Sequence, residues 1–254
     1  MDILTFELAG KHAHFRKYYA NNTALSYFIP PRTTLMGVLA AVMGYPKDSY
    51  YEALASEHIR IGLSVLSPLK KAIHRVNWLK VEGASDFRGR SQHTQTPFEL
   101  VSAQGGPGEL VRYQVYLAAT ASGSETLEQI RTQMLAKQQV YAISLGPANL
   151  GGYIRQVQYL TGLTEEQAED SLLDLGSVVN AERVSEVPWD GSSRLMVEEE
   201  LMPADFVANE DREVRRMIRC LYTFDGAPLP VRYSGPFVRI PQTSGEDLPI
   251  AFIE

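Results

Sequence analysis

Hydrophobic and polar positions alternate from the start of the chain. Leu4, Phe6 and Leu8 fall on one side of an extended segment and Thr5 and Glu7 on the other, the pattern of a half-buried strand over Ile3 to Leu8. Gly10 ends it, and a polar stretch runs on to Pro30-Pro31. From Arg32 the period changes: Leu35, Val38, Leu39 and Val42 recur at helical spacing, while Gly37, Ala40 and Ala41 keep one side thin enough to lie close on a sheet. Prolines before the apolar run and threonines at its start predict a helix beginning at Arg32 to Thr34 with a Thr cap, ended by Gly44-Tyr45-Pro46. A second short helix is predicted over 49–56, then a strand from Arg60 to Leu66 in which Ile61, Leu63 and Val65 alternate with Arg60, Gly62 and Ser64.

From Lys70 to Gly108 the chain is polar, cationic in its first part and studded with glycine. It reads as a long β-hairpin or extended arm inserted at about residues 70–110, between Ile73 to Val81 and a strand from Val111 to Leu117. Ser124, followed by Glu125 and Glu128, starts a helix striped by Leu127, Ile130 and Met134, and Val140 to Ser144 is a short strand candidate. The order β–loop–α–β–arm–β–α–β over residues 1–144 predicts the α+β class. It is that of a ferredoxin-like domain, the split βαβ arrangement of four antiparallel strands backed by two helices, with a long inserted hairpin. Leu145-Gly146-Pro147 opens residues 145–254, read as a smaller β-rich C-terminal region. There Gln156 to Leu160 reads as a strand, and Thr164-Glu165-Glu166-Gln167 matches a capping box for a helix running to Leu175. Ser177 to Val187, Leu195 to Phe206 and Arg215 to Phe224 contain strand-like stretches, and no internal repeat appears.

Composition narrows the class. With 254 residues and 44% hydrophobic content the chain can bury one large core or two smaller ones. No apolar run approaches the roughly 18 residues that span a bilayer, and Asp2 stands where a signal peptide wants a cation, so a cytoplasmic protein with no membrane partner is expected. The single Cys220 has no second thiol to pair with and reads as a small core residue. The net charge of −6 hides an asymmetry: residues 1–120 carry 13 Lys and Arg against 9 Asp and Glu, residues 121–254 carry 11 against 21, and all five histidines lie in the first half. A cation-rich face on an otherwise acidic protein is the consequence.

That face has a definable chemistry. Lys11, Arg16 and Lys17 are interleaved with His12, His14, Phe15, Tyr18 and Tyr19, placing cations for phosphates beside rings on which bases can stack. The predicted helix start adds free N–H groups and Arg32, Thr33 and Thr34, an arrangement suited to an anion. In the arm, Lys70, Lys71, His74, Arg75, Arg88, Arg90 and His93 extend the cationic set, and Trp78 is either a plug under the hairpin or a stacking platform. Signatures of serine hydrolases, P-loop enzymes, zinc peptidases and dinucleotide binders are absent. His12 and His14 share a side on an extended chain but lack further ligands, so no metal and no cofactor is expected. His12, His14, His74, Lys11, Lys71 and Tyr18 could serve a metal-free ribonuclease or act as passive contacts, and spacing does not separate the two.

The N-terminal strand, Gly10, Phe15-Arg16, the run Ser26-Tyr27-Phe28-Ile29-Pro30-Pro31-Arg32-Thr33-Thr34-Leu35-Met36-Gly37 and Gly44 together resemble the Cas-five family of CRISPR-associated RAMP proteins, and Leu145-Gly146-Pro147 is similar to the family's later Leu-Gly signature. The overall form is most similar to its type I-B branch. The resemblance implies a non-catalytic RNA-binding subunit of a type I Cascade effector that grips the 5′ handle of the crRNA, with a thumb-like hairpin folding over the guide. Lys11 to Lys17 and Arg32 to Thr34 fall where the family holds the handle and Lys70 to Gly108 where it has its thumb, and Gly146, of the Leu-Gly signature, joins the RNA-binding residues the resemblance implies. The implied partners are the crRNA, the backbone subunit, the large PAM-reading subunit and, through the complex, target DNA. One branch, of type I-C, processes pre-crRNA with a Tyr, Lys and His set. Here Lys70-Lys71 is followed by His74 rather than an immediate His, which leaves a metal-independent endoribonuclease as the alternative.

Overall fold

In the computed structural model, which describes residues 1–21, 23–88, 93–188, 195–207, 212–242 and 245–254, the alternating N-terminal segment forms β1 (Ile3–Gly10), and all eight of its residues are buried. The strand is covered on both faces rather than on one. Leu4, Phe6 and Leu8 pack under the helices, whereas Ile3 joins Tyr116, Ala118, Val238, Ile240, Ile250 and Phe252 beneath the C-terminal half. Thr5 and Glu7 share that second side, and Glu7 is tolerated there because Arg112 and Arg155 both donate to its carboxylate, at 2.8 and 2.7 Å.

In chain order there follow β2 (Phe15–Arg16), β3 (Ser26–Tyr27), α1 (Arg32–Met43), β4 (Ile59–Val65), β5 (Leu69–Leu79), β6 (His93–Ala103), β7 (Val111–Ala119), α2 (Ser124–Leu135) and β8 (Gly152–Leu160). The central sheet has the order β4-β7-β1-β8 with every neighbouring pair antiparallel. α1 links β1 to β4, α2 links β7 to β8, and the β5/β6 hairpin is inserted between β4 and β7. The remaining strands are β9 (Glu165–Leu175), β10 (Val179–Asn180), β11 (Val184–Glu186), β12 (Val197–Phe206), β13 (Val214–Thr223), β14 (Leu229–Ile240) and β15 (Leu248–Ile250). They form a sheet β10-β13-β12 and a second one in which β14 pairs with β9, β11 and β15. Val178, Met202, Ala204, Ile218, Cys220, Tyr222 and Ile253 enter the same apolar cluster as Leu4 and Leu39, so the two halves share one core.

Several elements differ from the sequence reading. Residues 49–56 form turns rather than a helix, and within 140–144 only Ser144 makes a bridge, to Gly151. The fourth strand of the central sheet is β8, so that sheet continues past residue 144. The capping-box segment from Glu165 to Leu175 is a strand, because β14 offers it a long antiparallel partner from Leu229↔Leu175 to Val238↔Glu165. The N-terminus of α1 has no side-chain cap; the Pro31 carbonyl accepts from the N–H groups of Thr34 and Leu35 instead. Gly44 ends α1 at φ 76°, in the left-handed region that favours glycine, and its N–H donates to the Ala40 carbonyl.

Candidate nucleic-acid interface

The β5/β6 hairpin is paired from Leu69↔Ala103 to Leu79↔His93. Eleven residues per strand at about 3.3 Å each make it roughly 35 Å long. Its root is tied down by main-chain bonds: Leu69 N–H to the Phe224 carbonyl at 2.8 Å, reciprocal bonds between Ala13 and Val101, and Ala24 N–H to the Pro97 carbonyl at 2.9 Å. Beyond the root the hairpin stands in solvent, with Ile73, Trp78, Leu79 and Phe87 all exposed.

Between this hairpin, the loop after β1, the start of α1, the segment 142–147 and the β12/β13 end lies an open groove of about 1330 Å³. That exceeds the roughly 300–1,000 Å³ of small-molecule sites and suits a chain-like ligand. One wall carries Arg16, Lys17 and Tyr18, the hairpin contributes Trp78 and Thr94 to Thr96, and Thr33 and Thr34 mark the helix start. Tyr18 and Tyr19 stand edge to face at 5.3 Å, each 53% exposed, and present ring surface to solvent.

The structure divides the predicted residues into two groups. Lys11, Arg16, Tyr18, Lys70, His74, Arg75, Trp78, Arg88 and His93 are exposed, and His12 and Thr34 are half-buried. Arg16 gives one guanidinium nitrogen to the Ala20 carbonyl at 2.9 Å. His12 Nδ1 meets Ser102 Oγ at 3.1 Å, and burial, with the charges of Lys11 and His74, lowers its pKa. Arg90 lies outside the described residues.

The second group is committed elsewhere, which corrects the sequence expectation. His14 is 3% exposed, stacks on Phe98 at 4.0 Å and places Nδ1 2.7 Å from the Glu99 carbonyl; burial pushes its pKa down despite that carbonyl. Phe15 is a core residue packed edge-on against Tyr113, so its ring is not a base platform. Thr33 is buried against β12. Arg32 is 1% exposed, and its guanidinium donates to Glu254 (2.5 Å), Asp205 (2.8 Å) and the carbonyls of Leu54 and Ile59 (2.9 and 2.6 Å), leaving no charge to offer an anion. Lys17 and Lys71 both reach Glu200.

Gly146 is placed by sterics. At φ 107° a Cβ would sit 1.9 Å from the His14 carbonyl oxygen, so only glycine lets the 145–147 turn press against the cationic loop, where Leu145 accepts from the His14 N–H at 2.9 Å. The sequence reading missed the far wall, made by Tyr50, Tyr51, Phe206 and Arg212. Arg212 Nε donates to Asp48 at 2.9 Å, and Asp48 also accepts from the Tyr51 hydroxyl; these hydrogen bonds hold its carboxyl below the usual range. The Tyr50-Tyr51 pair was visible in the sequence, but nothing local connects it to residues 206 and 212.

Among the described residues no group of three His, Cys, Asp or Glu side chains is disposed to hold a metal ion. No helix among them is long and apolar enough to cross a membrane.

Residues 3–220 match the family described as CRISPR-associated protein (Cas_Cas5). The match spans most of the sequence, and the chain belongs to this Cas5 family of CRISPR-associated proteins. Among solved structures it is similar to a CRISPR protein from Archaeoglobus fulgidus, at 13% identity over 98% of both chains with a TM-score of 0.55, a likeness of fold alone. Two others fall below a TM-score of 0.5 and carry no argument: a chain of a CRISPR RNA-guided surveillance complex (10% identity, 97% of this chain and 91% of that one, TM-score 0.46) and a Cas protein (15% identity, 89% and 98%, TM-score 0.46). No curated protein matches the sequence.

Proposed function

We propose that this chain is a non-catalytic RNA-binding subunit of a type I Cascade, of the I-B form, which holds the 5′ handle of the crRNA in the groove. In this reading it acts in the cytoplasm, capping the backbone filament beside the large subunit and meeting target DNA only through the complex. The core is ferredoxin-like, a reading supported by the antiparallel order β4-β7-β1-β8 with helices after its first and third strands. The β5/β6 hairpin is then the thumb, inserted between the second and third core strands.

The observation that carries the proposal is the groove itself, large enough for several nucleotides and edged by exposed Arg16, Tyr18 and Trp78. Passive holding is supported by His14, whose ring is buried, stacked and bonded to a carbonyl, away from any proton-transfer role, while His12 and His74 stay accessible, so the integrity of the RNA in the test below decides between holding and cleavage. The test is fluorescence anisotropy of a labelled, repeat-derived handle RNA with purified protein in EDTA. Arg16→Glu and Trp78→Ala should each weaken binding by about tenfold, and the RNA should stay intact. Unchanged affinity in both variants removes the groove from the account, and a discrete cut replaces passive holding with cleavage.

A further inference from the structure

The cations nearest the groove are not all aimed at it. Glu200, on β12, is 7% exposed, and Tyr222 donates its hydroxyl to Oε2 at 2.9 Å. Its Oε1 faces two ammonium groups, Lys17 from the cationic loop and Lys71 from β5 at 3.9 Å, and the side chains of both lysines are only 14% exposed. Lys71 Nζ also lies 3.9 Å from the centroid of the Phe28 ring, which stacks on Phe224 beside the hairpin root. Lys17 stands over the Tyr27 ring at 5.5 Å. One carboxylate thus joins three segments distant in sequence, all of which contribute to the groove or its support: the cationic loop, the root of the hairpin, and β12, whose far end carries Pro203 and Phe206 of the groove lining.

We propose that Glu200 is a positioning residue for RNA, setting through Lys17 and Lys71 how far the outer part of the cationic loop stands from the hairpin, and that these two lysines serve this lock rather than phosphate contact. The inference rests on the RNA-binding reading of the groove. With the carboxylate gone, two poorly solvated ammonium groups would face each other with Glu198 and Glu99 as the remaining nearby carboxylates, and the outer part of the loop around Lys17 would swing away from the hairpin about the Ala13–Val101 and Ala24–Pro97 main-chain bonds. The groove would widen although its positive charge had increased.

This gives a sign that a pure charge effect cannot produce. Glu200→Gln adds net positive charge, so if the lysines acted on phosphates it would tighten RNA binding; as a lock, its loss weakens binding by about tenfold. The rescue is equally specific. Glu200→Gln/Lys71→Met carries one cation fewer than the single variant, yet it relieves the repulsion and binds the same handle RNA more tightly than Glu200→Gln does. Tighter or unchanged binding in Glu200→Gln, or weaker binding in the double variant than in the single one, overturns the proposal. A second measurement needs no RNA: spin labels at Asn21→Cys, on the outer part of the loop, and Asn77→Cys, on the hairpin, read by pulsed electron resonance, should report a longer or broader distance in the Glu200→Gln background. An unchanged distribution refutes the lock. If the unmodified protein binds no handle RNA, the proposed function fails, while the label distances still decide whether Glu200 sets the groove.

Discussion

Arg32 is the residue whose apparent role changed most between sequence and structure, and replacing it with methionine tests that change. Its guanidinium sits in the core at the start of α1, bridging Asp205 on β12 and Glu254, with two further donations to the Leu54 and Ile59 carbonyls. Breaking a buried ion pair from one side costs about 3–5 kcal/mol, because the partner charge stays buried and unpaired. Here both partners keep some support: Asp205 still accepts from Ser56 and Arg216, and Glu254 from the Ile61 N–H. The lower part of that range, about 3 kcal/mol, is therefore expected, and at 2–4 °C per kcal/mol for a chain of this size the midpoint should drop by about 10 °C. Burial pushes the Asp205 carboxyl up, but Arg32, Ser56 and Arg216 together hold it below its ordinary value. A depressed carboxylate contributes stability that is present above its unfolded pKa and lost as pH falls through the folded one. The gap between wild type and Arg32→Met, large at pH 7, should accordingly narrow only as pH falls below the ordinary aspartate range, about pH 4, and Asp205 begins to protonate. Thermal unfolding followed by circular dichroism at pH 7 and pH 3 measures both. A shift under about 2 °C at pH 7 would mean that Arg32 is not a structural hub and would return it to the list of possible phosphate ligands.

Other positions give sharper, smaller tests. Gly146→Ala forces a Cβ against the His14 carbonyl at positive φ and should cost at least about 2 kcal/mol in urea unfolding; a loss below about 0.5 kcal/mol would contradict the close approach. Burial, aided by the charge of Glu200, pushes the Cys220 thiol up to about 12, so it should resist a thiol reagent at pH 8 in the native protein and react at once in denaturant. Fast native labelling would place it outside the core.

Local pattern made part of the fold legible. α1 begins at Arg32, and α2 carries the Leu127, Ile130, Met134 stripe, because both helices have a clear apolar face and a glycine or proline boundary. β4 and β7 alternate as expected, and the inserted hairpin was signalled by its polar, glycine-rich run. What failed was whatever depended on distant partners. β9 looks like a helix until β14, some 60 residues later, supplies its ladder. β1 looks half-buried until the C-terminal half covers its other face.

The candidate site divides in the same way. Arg16 and Tyr18, expected on a cationic face, are exposed, and Trp78, which the pattern left open between a plug under the hairpin and a stacking platform, is exposed as well, since a loop and a hairpin limb have few other ways to bury them. The commitments of Arg32, Lys17 and Lys71 were not legible, because Asp205, Glu254 and Glu200 lie between 129 and 222 positions away and only the fold brings them together.

The claim at the centre of this account is that a terminal RNA segment lies in the groove between the hairpin and the cationic loop. Photo-crosslinking with a handle RNA containing 4-thiouridine, followed by peptide mapping, tests it most directly. Crosslinks are expected at Tyr18 and Trp78, which line the groove, and at Tyr19, whose ring stands edge to face with Tyr18. Crosslinks confined to the acidic strand Glu165–Leu175, or spread over the surface without preference for the groove, would contradict the claim.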